Sequence, residues 1–585
     1  MDRDRMPFGY VVAIDGSRVT LNLRDEHKGH YVSHRYGVVP VTDIGNLFAV
    51  ESGHRLLILK VQSLSFAEPR EVHTSRDFTG AFKDPLRNLD AVVVGILQRR
   101  GDQLEFIADS LVSPSLGGEA FPLFDHEMSA ILKTVTSSSE NINIGEAVRG
   151  GGNVNVAITD FLARHVAVLG STGQGKSCFT AAILQQLVKF PRSRIVVLDV
   201  NGEYLQALEP HIGKDKMKIT RLGELSGDKI PYYALGRHGL ARLLMPSEKT
   251  QRPALNFAIE NLQYLEWIPA KKGAKLAGTS SDAILFDDCR GVGAQEAERA
   301  IKALREKSGI QNATKWPSMA ALAALVAESY CITTGNRGTV ERNGFQYGNV
   351  SPLITRIRRF IEDPQFTSVI GVDGGDPKGG RLDWQAEGEA LIDNYFGSKN
   401  STWQIHIVDL RSLAHDLMPF VLGSLLELLA FELFRRGQDG TYPTLLVLEE
   451  AHHYLRTISE AEEAGKDSLA YERLAKEGRK FGISLWLSTQ RPSELSTTVL
   501  AQCGTWVVFR LSSDQDLKYV AAAADWVDRQ ELNRIAGLPR RQAIVFGAGV
   551  SLPTRIIAPE AIPCPKSDDG KFNQWIQVGT NVTPQ

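Results

Sequence analysis

Cysteine is scarce. Five stand in 585 residues, at positions 178, 289, 331, 503 and 564. None belongs to a Cys-x-x-Cys pair, which leaves no zinc ligand set and no disulfide framework and suits a reducing compartment. Long apolar runs are also missing. The greasiest stretch, Met418–Phe434, is interrupted by Pro419, Glu427 and Glu432, so it reads as a buried helix and not as a membrane span. The opening residues, Met1-Asp-Arg-Asp-Arg-Met6, contain no apolar signal-peptide core, and a cytoplasmic protein with no membrane contact is expected. Neither sign of charge dominates: 66 Lys and Arg face 68 Asp and Glu, for a net charge of −2. Any nucleic-acid contact must therefore be local, such as a ring of Lys and Arg in a pore.

The remaining composition, 43% hydrophobic and 23% charged, is that of an ordinary globular protein. The length exceeds one ordinary core, so two or three domains are expected. The most informative stretch is Gly170-Ser-Thr-Gly-Gln-Gly-Lys-Ser177. It fits Gly-x-x-x-x-Gly-Lys-[Ser/Thr], the phosphate-binding loop pattern. Gly170, Gly173 and Gly175 permit backbone conformations in which successive N–H groups point at phosphate oxygens. Lys176 reaches the β- and γ-phosphates, and the Ser177 hydroxyl ligates Mg²⁺. The context agrees: the apolar run His165–Leu169 precedes the loop as a strand, and Cys178–Val188 follows with helical spacing. Gly170, Ser171, Thr172, Gly173, Gln174, Gly175, Lys176, Ser177 and Cys178 are thus the expected nucleotide-binding residues, with ATP and Mg²⁺ as ligands.

Around that loop the chain divides as follows. Residues 1–110 hold short Val- and Leu-rich runs separated by Gly and Asp, the pattern of a small β-barrel. Asp15-Gly-Ser17 marks a hairpin between Gly9–Ile14 and Val19–Leu23. His27, His30 and His34 lack the spacing of a metal set and read as a polar loop. Residues 111–140 read as a linker, with a short helix over Asp125–Val135, and 141–204 with 401–555 as an α/β core. The intervening 205–400 read as a mostly helical insertion, with helices at Arg252–Leu265, Ala294–Lys307, Ser318–Tyr330 and Ser351–Glu362. Arg356, Arg358 and Arg359 on the last of these read as a solvated helix face. Residues 556–585 read as a polar tail.

Three strands of the core end in acids, one of them Trp403–Val408, which runs to Asp409. Arg194–Asp199 is followed by Val200-Asn-Gly-Glu-Tyr204, and Asp199 and Glu203 form either part of the site or a polar turn. Thr444–Leu448 runs into Glu449-Glu450, the Walker B form. There Glu449 is placed to hold Mg²⁺ through water and Glu450 to activate the attacking water. The strand Ile483–Leu487 leads to Ser488-Thr-Gln-Arg-Pro492, which brings the Gln490 amide near a γ-phosphate. Arg473, Lys476, Arg479 and Lys480 form a basic cluster just before it.

Taken together and in order, Arg164-His165, Gly170–Ser177, Asp199–Tyr204, Leu448–His452, Glu477–Gly482 and Ser488–Pro492 resemble the HerA branch of the HerA–FtsK ATPases, over residues 140–550. The resemblance implies a RecA-like core, a homohexameric ring with ATP between subunits, translocation of double-stranded DNA, and a nuclease or other effector on the ring. It implies Glu450 as catalytic carboxylate, Gln490 as γ-phosphate sensor, and Arg479, with Arg473 second, as the arginine finger. The family commonly has Asp where Glu449 stands. Bacterial members of this length also resemble anti-phage defence ATPases. An alternative of another class is an ATP-switched scaffold that activates a nuclease or a sirtuin-type NAD-consuming enzyme without translocation.

Overall fold

The computed structural model describes residues 6–24, 31–34, 37–53, 55–66, 87–101, 103–109, 111–132, 140–148, 152–279, 294–307, 309–334, 340–455, 470–523 and 534–566. His27 and His30 lie outside them. The chain divides into two compact units: Met1–Gly175 with Cys503–Pro559, and Lys176–Gln502 with Glu560–Gln585.

The first unit begins with a closed barrel of six strands. Their order around the ring is Arg18–Leu23, Gly9–Asp15, Glu119–Pro122, Leu47–Ser52, Arg55–Phe66 and Arg87–Arg100, the last pairing back to the first. Gln103–Ile107 adds to Arg87–Arg100 outside the ring. Alternating residues supply the barrel core: Val19 and Leu21, Leu57, Leu59 and Val61, and Leu89 and Ala91, with Phe8 packed edge-on against Phe48. Asp15 pairs with Arg18 across a two-residue turn, and Gly16 there has φ +61°, the left-handed value such turns demand. The closing strand Glu119–Pro122 lies beyond residue 110. Pro114, Gly117 and Gly118 just before it have linker composition, which masks it in the sequence. The expected helix after it is present as Asp125–Ile131.

The same unit contains a six-stranded sheet in the order Asn153–Ala157, Asn141–Ala147, Thr554–Ile557, Gln542–Gly547, Cys503–Phe509 and His165–Leu169. The pairings are antiparallel except the last, where His165–Leu169 runs parallel to Cys503–Phe509.

The second unit is α/β. Five strands run parallel in the order Ile483–Thr489, Thr444–Leu448, Ile195–Asp199, Ile405–Asp409 and Met217–Arg221. The central strands are buried along their whole length, as strands covered on both faces must be. The helix Lys176–Leu187 packs here through Phe179, stacked on Trp486 at 6.0 Å between ring centres, and through Thr180, whose hydroxyl accepts from the Trp486 indole at 3.2 Å. The interrupted apolar run forms the helix Met418–Arg436. Among the described residues no helix is long and apolar enough to cross a membrane.

Residues 205–400 are mostly helical, with helices at Gly236–Leu244, Gln251–Asn261, Ala294–Glu306, Ala320–Cys331, Gly344–Glu362 and Trp384–Phe396. Buried Trp316 anchors part of this region, stacked on Tyr233 and edge-on to Trp384. Arg356 is not the freely solvated side chain expected. Its guanidinium donates to the carbonyls of Leu244 and Met245 and satisfies the end of a neighbouring helix.

Candidate nucleotide site

The loop Gly170–Gly175 leaves the strand His165–Leu169 and enters the helix that starts at Lys176. Gly173 and Gly175 take φ values of +73° and +111°, which side chains with a Cβ resist. Within the first unit the loop is anchored by Ser171 N donating to Arg510 O and by Arg541 N donating to Gln174 O. Cys178 is half-buried on the first turn of the helix.

In the second unit, Lys176 is 6% exposed and sits among carboxylates. Burial pushes its ammonium pKa down, while Glu450, Glu449 and Glu203 push it back up. These acids come from the C-terminal ends of adjacent parallel strands, where an α/β sheet gathers its ligands.

Asp199 ends one strand. Its Oδ1 accepts the backbone N–H groups of Gly202 and Glu203 at 2.7 and 3.0 Å, and its Oδ2 that of Tyr204 at 3.0 Å. Asp199 is fully buried, and burial raises its pKa against those three bonds and a fourth from Glu449. Glu449, from the next strand, is 2% exposed. Burial first, and then the charges of Asp199 and Glu203, lift it well above the usual carboxylate range. The two buried carboxyls are hydrogen-bonded to each other, and burial holds both above the usual carboxylate range. The Glu449 oxygens also accept from Val200 N at 3.1 Å and from Asn201 N and Nδ2 at 3.4 Å.

Glu450 has φ +43°, a left-handed value for a residue with a Cβ, at the start of the short turn Ala451–His453. Such strain is found where the fold needs one particular side-chain direction. Its Oε1 accepts the Gln490 amide. Its Oε2 is buried without a hydrogen bond, 3.3 Å from Nδ1 of His452. Burial lowers the His452 pKa, keeping the ring neutral, and the same nitrogen lies 2.9 Å from Thr489 Oγ1. Glu203 lies beside Ser177, whose hydroxyl hydrogen-bonds the Glu203 carboxyl. Burial raises the Glu203 pKa and that bond opposes the rise. Its Oε2 is likewise buried and unpartnered.

Thus Lys176, Ser177, Glu449, Glu450 and Gln490 come together, and Asp199 and Glu203 join them. Glu203 could have been weighted by its position four residues after a strand-ending Asp, a turn that folds back on the sheet. Arg473 and Arg479 stand apart. The Arg473 guanidinium lies 4.0 Å over the Phe434 ring, with Nε 3.5 Å from Glu477. Arg479 is exposed on the turn Gly478–Phe481, and its guanidinium makes no ion pair among the described residues.

The acidic surplus around one lysine, with two buried carboxylate oxygens unpartnered, fits a site completed by a cation. Among the described residues no three His, Cys, Asp or Glu side chains converge as a protein-built metal cage would. Mg²⁺ carried by a nucleotide needs no such cage, because phosphates and waters supply most of its ligands.

Residues 142–324 match the protein family described as helicase HerA, central domain. The chain is 25% identical over 451 residues to the DNA double-strand break repair helicase HerA of Pyrococcus furiosus, covering 72% of this chain and 69% of that one. It is 24% identical over 504 residues to a probable HerA helicase of Methanocaldococcus jannaschii, covering 82% and 87%. VirB4 of Thermoanaerobacter pseudethanolicus superposes with a TM-score of 0.43 at 15% identity, covering 73% of this chain and 98% of that one. The chain carries a HerA-type central domain, is homologous to HerA helicases, and is an enzyme of the P-loop ATPase and helicase class.

Proposed function

We propose that this chain is the subunit of an ATP-driven translocase of double-stranded DNA. It would work in the cytoplasm as a closed homohexamer, with a nuclease or other effector bound to the ring. An anti-phage role for such an assembly is part of the proposal. The observation that carries it is the convergence of Lys176, Ser177, Glu203, Glu450 and Gln490 at the ends of parallel strands. That set binds a triphosphate, aims a carboxylate at its terminal phosphate and supplies a polar sensor beside it.

The chemistry follows from the geometry. Lys176, poor in water contacts and surrounded by acids, gains most from phosphate oxygens that replace its lost hydration. The Ser177 hydroxyl and a neighbouring carboxylate would hold Mg²⁺, which when bound neutralises charge on the phosphates. Glu450, with one oxygen unpartnered, accepts a proton from the attacking water. Gln490 holds the other oxygen and can turn its amide to the γ-phosphate. Arg479, exposed and without an ion pair among the described residues, would complete a neighbouring subunit's site, which is why a closed ring is proposed.

The experiment is displacement of a third strand from a DNA triplex by the purified full chain with ATP and Mg²⁺. Displacement that requires hydrolysable ATP and a duplex arm supports the reading. ATP turnover that neither DNA nor triplex alters would overturn the translocase assignment.

A further inference from the structure

We propose that Glu203 is the carboxylate that accompanies Ser177 at the Mg²⁺ position, through bound water, and that Glu449 is a positioning residue behind it. The inference rests on the ATP-site reading above and names a residue within it.

The turn after Asp199 is built to bring Glu203 back to the loop. Three successive N–H groups, from Gly202, Glu203 and Tyr204, converge on the Asp199 carboxylate at 2.7–3.0 Å. The carbonyl of Glu203 is fixed from the other side by Lys566 N at 3.4 Å. The side chain so placed meets the Ser177 hydroxyl and feels both Lys176 and Glu450. Among the described residues its Oε2 is buried with no hydrogen-bond partner, and so is the Oε2 of Glu450, a residue only 6% exposed. Leaving a buried acceptor unsatisfied is destabilising, and more so for a charged one. The free oxygen of Glu203, on the side chain that meets the phosphate-loop hydroxyl, is what a hydrated cation would satisfy. Mg²⁺ keeps several waters and takes one or two carboxylates.

Glu449 is differently placed. Its oxygens are already used by Val200 N, Asn201 N and Asn201 Nδ2, and it bonds to Asp199. Reaching a cation would cost it those bonds and would release the 199–204 turn. Its extra methylene relative to Asp is spent spanning to the neighbouring strand's loop. Glu449 therefore holds the turn, and the turn holds Glu203.

The test uses the full chain with a non-hydrolysable ATP analogue and Mn²⁺, titrated by electron paramagnetic resonance. Nucleotide affinity is measured separately in excess chelator. Glu203→Gln should weaken Mn²⁺ retention by about tenfold or more, the scale of losing a partner of the metal shell, with chelator-measured nucleotide affinity unchanged. Glu449→Gln keeps an amide oxygen to accept from Val200 N and Asn201 N and an amide N–H to donate to Asp199, so it should preserve the turn and lower Mn²⁺ retention far less than Glu203→Gln does. Should Glu203→Gln not fold, Glu203→Asp keeps the charge and the backbone turn and should still weaken Mn²⁺ retention. Wild-type retention in either Glu203 variant, or loss in Glu449→Gln with none at Glu203, overturns the assignment. Failure of the wild-type chain to bind the analogue would strike at the ATP site itself and not at the choice of carboxylate.

Discussion

The side-chain amide of Gln490 donates to Oε1 of Glu450, and so ties together the ends of two adjacent parallel strands, Ile483–Thr489 and Thr444–Leu448. The proposed sensor and the proposed base satisfy each other in the chain alone. A γ-phosphate is a stronger acceptor for the amide than one oxygen of a crowded carboxylate, because it offers more charge. Its arrival would draw the amide away and leave Glu450 free to take a proton. Glu450→Gln should keep nucleotide affinity and lower the hydrolysis rate by about a hundredfold or more, the scale of general-base loss. Stopped-flow phosphate release measures it. Wild-type turnover would move the role to Glu449 or Glu203.

Glu450, Glu449 and Glu203 all support the charge of buried Lys176. Lys176→Ala removes the positive partner of both the acids and the phosphates. Loss of charged hydrogen bonds costs about 1.5–3 kcal/mol each, roughly 10- to 150-fold in affinity. Calorimetric titration with ADP and ATP should show at least that loss. Unchanged affinity would remove the basis for an ATP site at this loop.

Away from the site, His406 sets a pH dependence of stability. The ring is fully buried on the strand Ile405–Asp409, with Nδ1 2.7 Å from Tyr395 O and Nε2 2.8 Å from Thr220 Oγ1. Burial lowers its pKa from 6.5 to about 4. A folded pKa below the unfolded value means that the unfolded chain takes up the proton first as pH falls. The stabilisation is therefore complete above pH 6.5 and drains away as pH falls toward 4. The gap of about 2.5 units corresponds to roughly 3 kcal/mol at about 1.4 kcal/mol per unit. Thermal midpoints of the wild type and of His406→Gln, compared from pH 7 to pH 4.5, should converge on acidification. Parallel curves would show that His406 contributes nothing to the pH response.

The sequence made the loop and the central strands legible because their signals are local. His165–Leu169, Ile195–Asp199 and Thr444–Leu448 are apolar runs bounded by polar turns, and each lies within two residues of its expected limits. Edge strands were harder. Met217–Arg221 pairs in parallel with Ile405–Asp409 inside the stretch read as helical. Its only buried residue is Thr220, so it has no apolar run to announce it. Asn141–Ala147 and Asn153–Ala157 were hidden by nearby glycines, although Ile142 and Ile144 alternate as a half-buried strand should. At the site, the paired acids were visible, but their division of labour was not. Which of Asp199, Glu203 and Glu449 faces Ser177 depends on backbone N–H groups in a turn, and these leave no mark on side-chain type.

The two candidate fingers differ in how they are held. Arg473 lies 4.0 Å over the Phe434 ring, close enough for a cation–π contact of about 0.5–1 kcal/mol at an exposed site, and its Nε is 3.5 Å from Glu477. Both partners belong to its own chain. Arg479 follows Gly478 on a short turn after the helix Ala470–Glu477, and its guanidinium is exposed without an ion pair among the described residues. A finger must be free to reach another subunit, so Arg479 is the stronger candidate. Arg479→Ala should leave the thermal midpoint and ATP affinity near wild type and lower turnover by roughly 10³–10⁵, the range of characterised arginine fingers. As a mere helix C-terminal cation it would cost only about 0.3–1 kcal/mol of stability, with turnover intact. Arg473→Ala should instead lower the midpoint and spare most of the activity. Mixing Arg479→Ala with Glu450→Gln subunits separates action in trans from action in cis. Each boundary that joins an intact Arg479 to an intact Glu450 should recover hydrolysis, although each variant alone is inactive. Co-assembly confirmed by native mass spectrometry, with no recovered hydrolysis, would place Arg479 in its own subunit's chemistry and leave Arg473 as the residue to test next.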